Sequence, residues 1–137
     1  NRSLVVGKED HLTRQINQLA FFLRKIAEKL TGAKNGNELS ETVSVVNFKL
    51  NEQLGFDLAI FDAISDDAIV EFLIKREGFN HANIELFANF LVGIDNDKYA
   101  KRALQMYNYV NQVTATFSFD RDLKIKKSIE VLHNLII

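Results

Sequence analysis

The sequence predicts an all-α fold, with six to seven helices packed as an antiparallel bundle in one domain that spans residues 1–137. Three observations support this prediction. Apolar residues recur at spacings of three and four along most of the chain, which is the period of an amphipathic helix. Proline is absent, and Gly, Asn, Asp and Ser separate the periodic segments instead. A chain of 137 residues with 47% hydrophobic residues suffices for one core.

The first helix is predicted from about Glu9 to Thr31, and Gly32 ends it. Its apolar stripe has the 4-3-4-3-4 spacing of a bundle or coiled-coil seam and consists of Leu12, Ile16, Leu19, Leu23, Ile26 and Leu30. Phe21 and Phe22 widen the apolar surface beyond a narrow seam. The stripe is therefore either core or a contact with a second copy or another protein. A polar loop is predicted from Ala33 to Asn37.

The second helix is predicted to start at Asn37 and to stop at Gly55, whose following Phe56 folds back onto the helix. The same Gly-Phe order at residues 78–79 predicts a second stop. A brief helix is predicted from Asp57 to Ile64. Ser65 is then expected to cap a further helix, with acidic residues in its first turn and basic residues in its last.

Asn80 is predicted to cap the next helix, which the acidic segment at residues 95–97 ends. Another helix follows from Lys98 to about Thr114. Ser118 is expected to cap the last helix, from Phe119 to roughly Leu135, whose predicted core residues are Leu123, Ile129, Leu132 and Ile136. These final two helices span the length of one tetratricopeptide unit, about 34 residues. A right-handed tetratricopeptide-like arrangement is therefore a hypothesis for the C-terminal half.

Composition excludes several classes of site. Cysteine is absent, so disulfides, thiolate zinc sites and cysteine nucleophiles are excluded. The 17 basic and 18 acidic residues give a net charge of -1, which argues against nucleic acid as a partner because duplex binding needs a surplus of cations. No apolar run is long enough to span a membrane. We therefore expect a soluble, cytoplasmic protein with no membrane partner.

No catalytic, cofactor-binding or metal-binding residue can be assigned from the sequence. His11, His81 and His133 lie in three predicted helices without the paired spacing of a metal site. The helix dipole explains the acidic residues at helix starts, and no phosphate-binding or nucleophile motif occurs. We expect no cofactor and no enzymatic activity. An enzyme stays an alternative, because a triad assembled across space leaves no linear trace.

Apolar and aromatic residues of the first and sixth predicted helices are the candidate interaction surface, namely Leu12, Ile16, Leu19, Phe21, Phe22, Tyr99, Tyr107 and Tyr109. The preferred hypothesis is a protein-interaction or scaffold domain whose partner is a protein, a peptide or a second copy bound through the first helix. One alternative is a regulatory domain that contacts nucleic acid through basic faces of the first and last helices. Their cations are Arg14, Arg24, Lys25, Lys29, Arg121, Lys124, Lys126 and Lys127. Another is a small ligand-binding bundle with a Phe-lined pocket.

Several segments also resemble a family of small, uncharacterised bacterial all-helical proteins. The opening segment EDHLTRQINQL at residues 9–19 and LRKI at residues 23–26 resemble that family's first helix, with His11 at a position where the family usually has an aromatic residue. LGFDL at residues 54–58 resembles a later Leu-Gly-apolar-Asp-Leu segment. The resemblance implies an all-helical fold and a tetratricopeptide-like helix pair at residues 99–132. It implies no activity and transfers no catalytic residue.

Overall fold

The computed structural model describes the backbone of residues 2–32 and 36–136 and the side chains of residues 10–32 and 37–136. These residues form seven α-helices and one short 3₁₀ helix, and no strand occurs among them. The helices are α1 (Arg2–Gly32), α2 (Gly36–Leu54), α3 (Leu58–Ala63), α4 (Ile69–Ile74), α5 (His81–Ile94), α6 (Asn96–Thr114) and α7 (Phe119–Ile136), with the 3₁₀ helix at Asp66–Ala68. The predicted all-α bundle is confirmed.

The start of α1 differs from the prediction. The helix begins at Arg2 rather than near Glu9. The added segment contains no proline, and the single glycine at position 7 costs only about 1 kcal/mol relative to alanine, which a long helix tolerates. Of the predicted loop from Ala33 to Asn37, residues 33–35 lie outside the described residues. The second helix begins at Gly36, one residue before the predicted cap.

Both predicted glycine stops are confirmed. Gly55 has φ of 78° and Gly78 has φ of 92°, a left-handed conformation that glycine adopts without steric penalty. The phenylalanines that follow them fold back into the core, where Phe56 and Phe79 are 0% and 5% exposed. The predicted cap of α5 is also confirmed, since the Asn80 side chain accepts a hydrogen bond from the backbone N–H of Asn83 at 3.0 Å.

The predicted cap at Ser65 is wrong, because its side chain makes no capping hydrogen bond and the next residues form the 3₁₀ helix. Arg102 of α6 accounts for this geometry. Its guanidinium donates to the backbone oxygen of Phe61 at 2.7 Å and also to that of Ile64, so the end of α3 folds around it. The Asp66 carboxylate accepts from Arg102 Nε at 2.9 Å.

The start of α6 also differs from the prediction. The helix begins at Asn96 rather than Lys98. The side chain of Asp95 accepts from the backbone N–H of Lys98 at 3.1 Å and so caps the helix. The acidic residues that were expected to separate two helices therefore start the second one.

The most apolar helix, α5, lies between α1 and α6. It runs parallel to α1, since Asn83 Nδ2 donates to the Ile16 oxygen at 3.0 Å near the start of α5, and Leu30 lies beside Gly93 at its end. It runs antiparallel to α6, where Tyr107 donates to the Asn89 side chain at 2.7 Å. The sequence neighbours α6 and α7 are also antiparallel. Their tetratricopeptide-like arrangement stays a prediction.

The core consists of aliphatic side chains from α1 and a cluster of aromatic rings. Leu23 and Ile26 of the α1 stripe are 0% and 1% exposed and lie in the same core as the buried face of α5. The aromatic cluster centres on Phe87, and neighbouring ring centroids lie 5.1–6.5 Å apart, among the rings of Phe56, Phe61, Phe72, Phe79, Phe87, Phe90 and Tyr99. Such edge-to-face contacts stabilise the core beyond the apolar area they bury.

The predicted core face of α7 is wrong. Its predicted core residues Leu123, Ile129 and Ile136 are 52%, 52% and 85% exposed, and Leu132 is half-buried. The residues that the helix buries instead are Arg121 and Ser128. The Arg121 guanidinium makes an ion pair and hydrogen bonds inside the bundle, and these bonds turn the polar side of α7 inward.

Candidate functional site

The eight residues of the candidate interaction surface separate into three groups. Leu12 and Phe21 are exposed, at 48% and 63%. The half-buried members are Ile16, Phe22 and Tyr109. The buried members are Leu19, Tyr99 and Tyr107, at 8%, 2% and 0% exposure. These last three belong to the core, so the predicted surface is corrected to the α1 residues and Tyr109.

The two buried tyrosines are in the core because their hydroxyl groups find partners there. Tyr99 donates to Asp62 Oδ1 at 2.8 Å, and Tyr107 donates to Asn89 Oδ1 at 2.7 Å. Burial is the main cause that raises the pKa of both hydroxyls far above the usual tyrosine range. The adjacent Asp62 carboxylate raises the pKa of Tyr99 further, because it would repel a tyrosinate.

These raised pKa values predict a loss of stability in alkali. The neutral tyrosine is favoured in the fold, whereas unfolded tyrosine ionises near pH 10, so this stability is present below about pH 10 and is lost as the pH rises further. We expect the free energy of unfolding to fall above pH 10 by up to about 1.4 kcal/mol per pH unit per tyrosine. Urea unfolding should show a shallower fall for Tyr107→Phe; an unchanged slope would contradict this assignment.

A groove of about 730 Å³ lies between α1 and α2. The two helices run antiparallel, since Gln18 of α1 faces Gln53 of α2 and Lys29 of α1 faces Val45 of α2. Ile26 and the half-buried Phe22 supply apolar lining, and the exposed ring of Phe21 stands beside them. The cations that line the groove are Arg14, Lys25, Lys29 and Lys49.

The groove continues at both ends. At one end it shares Gln18 and Gln53 with a cavity of about 490 Å³ that reaches Arg76. At the other end it shares Lys29 with a cavity of about 500 Å³ that reaches Glu41. The whole trough borders α1 from Gln15 to Gly32, a span of about 26 Å at the rise of an α-helix. We call this trough the α1–α2 groove.

Within the part of the chain whose side chains are described, the cations of the α1–α2 groove have no carboxylate partner. Among the described residues no carboxylate lies within 4.0 Å of the charged groups of Arg14, Lys25, Lys29 or Lys49. Lys25 Nζ lies 5.2 Å from the centroid of the Phe21 ring. The close approach of Lys49 lowers the pKa of Lys29, because two ammonium groups repel each other. The groove therefore combines apolar surface with uncompensated positive charge.

Three of the four cations of the basic face predicted for the last helix have carboxylate partners, and no carboxylate of the described residues lies within 4.0 Å of the fourth, Lys127. Arg121 is buried and pairs with Glu85 at 3.0 Å. Lys124 pairs with Asp120 at 2.8 Å. Lys126 likewise pairs with Asp122, at 3.0 Å. Of the cations on the first and last helices, those without a carboxylate partner among the described residues therefore lie mainly on α1.

The polar side chains that cluster among the described residues form ion pairs with one another. His11 contacts Glu77 at 3.3 Å on the surface, and no group of three or more His, Asp or Glu side chains in the described ranges is arranged to hold a metal ion. Asp66 pairs with Lys101 at 3.1 Å and with Arg102, which hold the pKa of its carboxyl below the usual range. None of the helices in the described ranges combines the length and hydropathy that a bilayer span needs.

The sequence indicates the residues of α1 that border the groove, but neither the groove nor its α2 wall. Phe21 and Phe22 stand out as apolar excess, and three of the four cations form one basic face of the first helix. Lys49 and Gln53 were not selected, because nothing in their spacing shows that α2 lies along that face of α1. The signal that could have found them is the exposed Phe48 next to Lys49, an apolar residue off the α2 stripe.

Comparisons with known proteins return no match, whether to a family model, to a curated protein or to a solved structure. The resemblance to small bacterial helical proteins therefore stays a prediction, as do the bacterial and cytoplasmic assignments.

Proposed function

We propose that this chain is a non-enzymatic interaction domain that binds a peptide segment of a partner protein in the α1–α2 groove. The observation that carries the proposal is the groove itself, which is about 26 Å long and whose middle part has an apolar lining and the exposed ring of Phe21. Grooves of this kind hold amphipathic or extended segments through a few apolar anchors. Phe21 and Phe22 would receive such anchors.

The geometry favours this function over a dimer formed through the α1 stripe. Four of the six stripe residues are at most 8% exposed within one molecule, namely Leu19, Leu23, Ile26 and Leu30. A second copy could contact only Leu12 and part of Ile16 without unpacking the core. The ligand-binding bundle is also less favoured, because the rings of the Phe cluster contact one another.

Selection from a display library of random peptides tests the proposal. We expect recovered peptides to bind the Phe21→Ala variant at least about tenfold more weakly, because truncating an aromatic anchor removes buried contact area. Phe117→Ala is the matched control, since that ring is 76% exposed in the α6–α7 connection. Binding affinities would be measured by fluorescence anisotropy. Failure to recover any peptide, or equal affinity for both variants, would refute the groove as the binding site.

A further inference from the structure

We infer that the α1–α2 groove selects an acidic segment, one whose apolar side chains enter the groove while its carboxylates pair with the cations along it. The inference rests on the proposed function and names the chemistry of the partner. Three observations support it: the cations without described carboxylate partners line the groove, Lys29 and Lys49 lie on its opposite walls, and its two ends carry different charges.

The cations belong to both walls of the groove. Arg14, Lys25 and Lys29 lie on α1 and Lys49 lies on α2, and no described carboxylate neutralises them. Five described lysines outside the groove pair with carboxylates, as Lys98 does with Asp62 at 2.8 Å, and among the described residues only Lys127 outside the groove has no carboxylate within 4.0 Å. The positive charge is therefore concentrated where a partner would lie. Charge complementarity of this kind selects partners and speeds their association.

Lys29 and Lys49 together provide a specific site, because they line the groove from its two opposite walls. The repulsion from Lys49 lowers the pKa of Lys29, and an anion placed between the two ammonium groups relieves that repulsion. A glutamate or aspartate of the bound segment provides that anion. One carboxylate can then bridge α1 and α2.

The two ends of the groove differ in charge, and the difference orients the segment. Toward Gly32 the lining includes Glu41, which repels a carboxylate. Toward the other end the lining includes Lys75, Arg76 and Glu77. Lys75 pairs with Glu71 at 3.4 Å, and Glu77 contacts His11 at 3.3 Å. The Arg76 guanidinium lies over the rings of Phe56 and Phe72 and has no carboxylate partner among the described residues. The acidic part of the segment therefore lies between Lys49 and Arg76. Its end near Glu41 is neutral or basic.

The apolar lining favours a peptide over a nucleic acid. Single-stranded nucleic acid needs open aromatic faces on which its bases stack. Phe22 is half-buried, and Lys25 already lies over the Phe21 ring. Aliphatic or aromatic side chains of a peptide can instead pack against Phe22 and the uncovered part of the Phe21 ring. An oligonucleotide is nevertheless included in the test, because its phosphates would meet the same cations.

The test compares the peptides selected on the wild-type protein with those selected on the Lys49→Glu variant. We expect the wild-type peptides to be enriched in Asp and Glu beside apolar residues, and to bind Lys49→Glu at least about tenfold more weakly. Lys127→Glu, the same charge reversal on α7, should bind them with unchanged affinity. High salt should weaken wild-type binding, because it screens exposed charges.

The thermal melting temperature separates a binding defect from misfolding. Lys49→Glu removes the repulsion with Lys29, so its melting temperature should equal or exceed that of the wild type. Selected peptides that are neutral or basic but still need Phe21 would overturn the acidic inference and leave the proposed function intact. Tighter binding of an oligothymidine than of any selected peptide would overturn both. Unchanged affinity for Lys49→Glu would also overturn the inference.

Discussion

Truncation of Phe87 should destabilise the protein by about 4 kcal/mol, the largest single effect expected for the core. Phe87 is 0% exposed, and its ring lies 5.3–6.1 Å from the rings of Phe56, Phe61, Phe79 and Phe90. The Phe87→Ala variant loses the buried ring and leaves a cavity that four neighbouring rings cannot fill without moving. It also removes edge-to-face contacts worth roughly 0.5–1.5 kcal/mol each.

Urea unfolding followed by circular dichroism measures this effect. Phe87→Leu should lose less, about 1.5 kcal/mol, because it keeps most of the apolar volume. Phe117→Ala should change stability by less than about 0.5 kcal/mol, since that ring is exposed. A loss of under about 1.5 kcal/mol for Phe87→Ala would show that the aromatic cluster is not the centre of the core.

The Arg121→Met variant should be less stable by about 3 kcal/mol, because it leaves the Glu85 carboxylate half-enclosed without its cation. Arg121 Nη1 lies 3.0 Å from Glu85, Nε donates to Asn111 Oδ1 at 2.6 Å, and Nη2 donates to the Thr116 oxygen at 2.8 Å. The side chain therefore joins α5, α6 and the connection before α7. Methionine keeps some of its volume but none of these bonds.

A double variant tests whether the loss arises from the unpaired carboxylate. Arg121→Met with Glu85→Leu should recover to within about 1 kcal/mol of the wild type, because replacing both partners removes the buried unpaired charge. Lys126→Met, which breaks an exposed pair on the same helix, should lose less than about 1 kcal/mol. If the double variant is no more stable than Arg121→Met, the hydrogen bonds to Asn111 and Thr116 carry the effect instead.

The parts of the fold that local physics determines could be predicted from the sequence. The α1 stripe is buried from Leu19 onward, because its spacing forces those side chains onto one face. Gly55 and Gly78 stop helices, since they adopt a left-handed backbone that other residues avoid. The Asn80 cap forms for an equally local reason, as its side-chain oxygen reaches an N–H three residues on.

The errors occur where a polar side chain finds partners that are distant in sequence. The rule that apolar residues face inward placed Leu123 and Ile129 in the core, whereas Arg121 turns α7 the other way by pairing with Glu85 of α5. The sequence places Tyr99 at the surface, but it is buried, because Asp62, 37 residues away in the chain, accepts a hydrogen bond from its hydroxyl. The spacing of residues within one helix cannot predict such partners, because they lie on other helices.

The candidate site was predictable only on its α1 side for the same reason. The sequence shows an apolar excess at Phe21 and several cations on the same helix, but it does not show which helix forms the opposite wall. In the structure α2 forms the opposite wall, which places Lys49 across the groove from Lys29. Only the packing of the two helices makes a groove from these residues.

Chemical-shift mapping of the protein with a selected acidic peptide tests the central claim most directly. We expect the backbone amide shifts to cluster along α1 and α2, around Gln18, Lys25, Lys49 and Gln53, and the exposed apolar face of α7 to stay unchanged. Shifts concentrated on α7, around Leu123 and Ile129, would contradict it, because the partner would then bind a different surface.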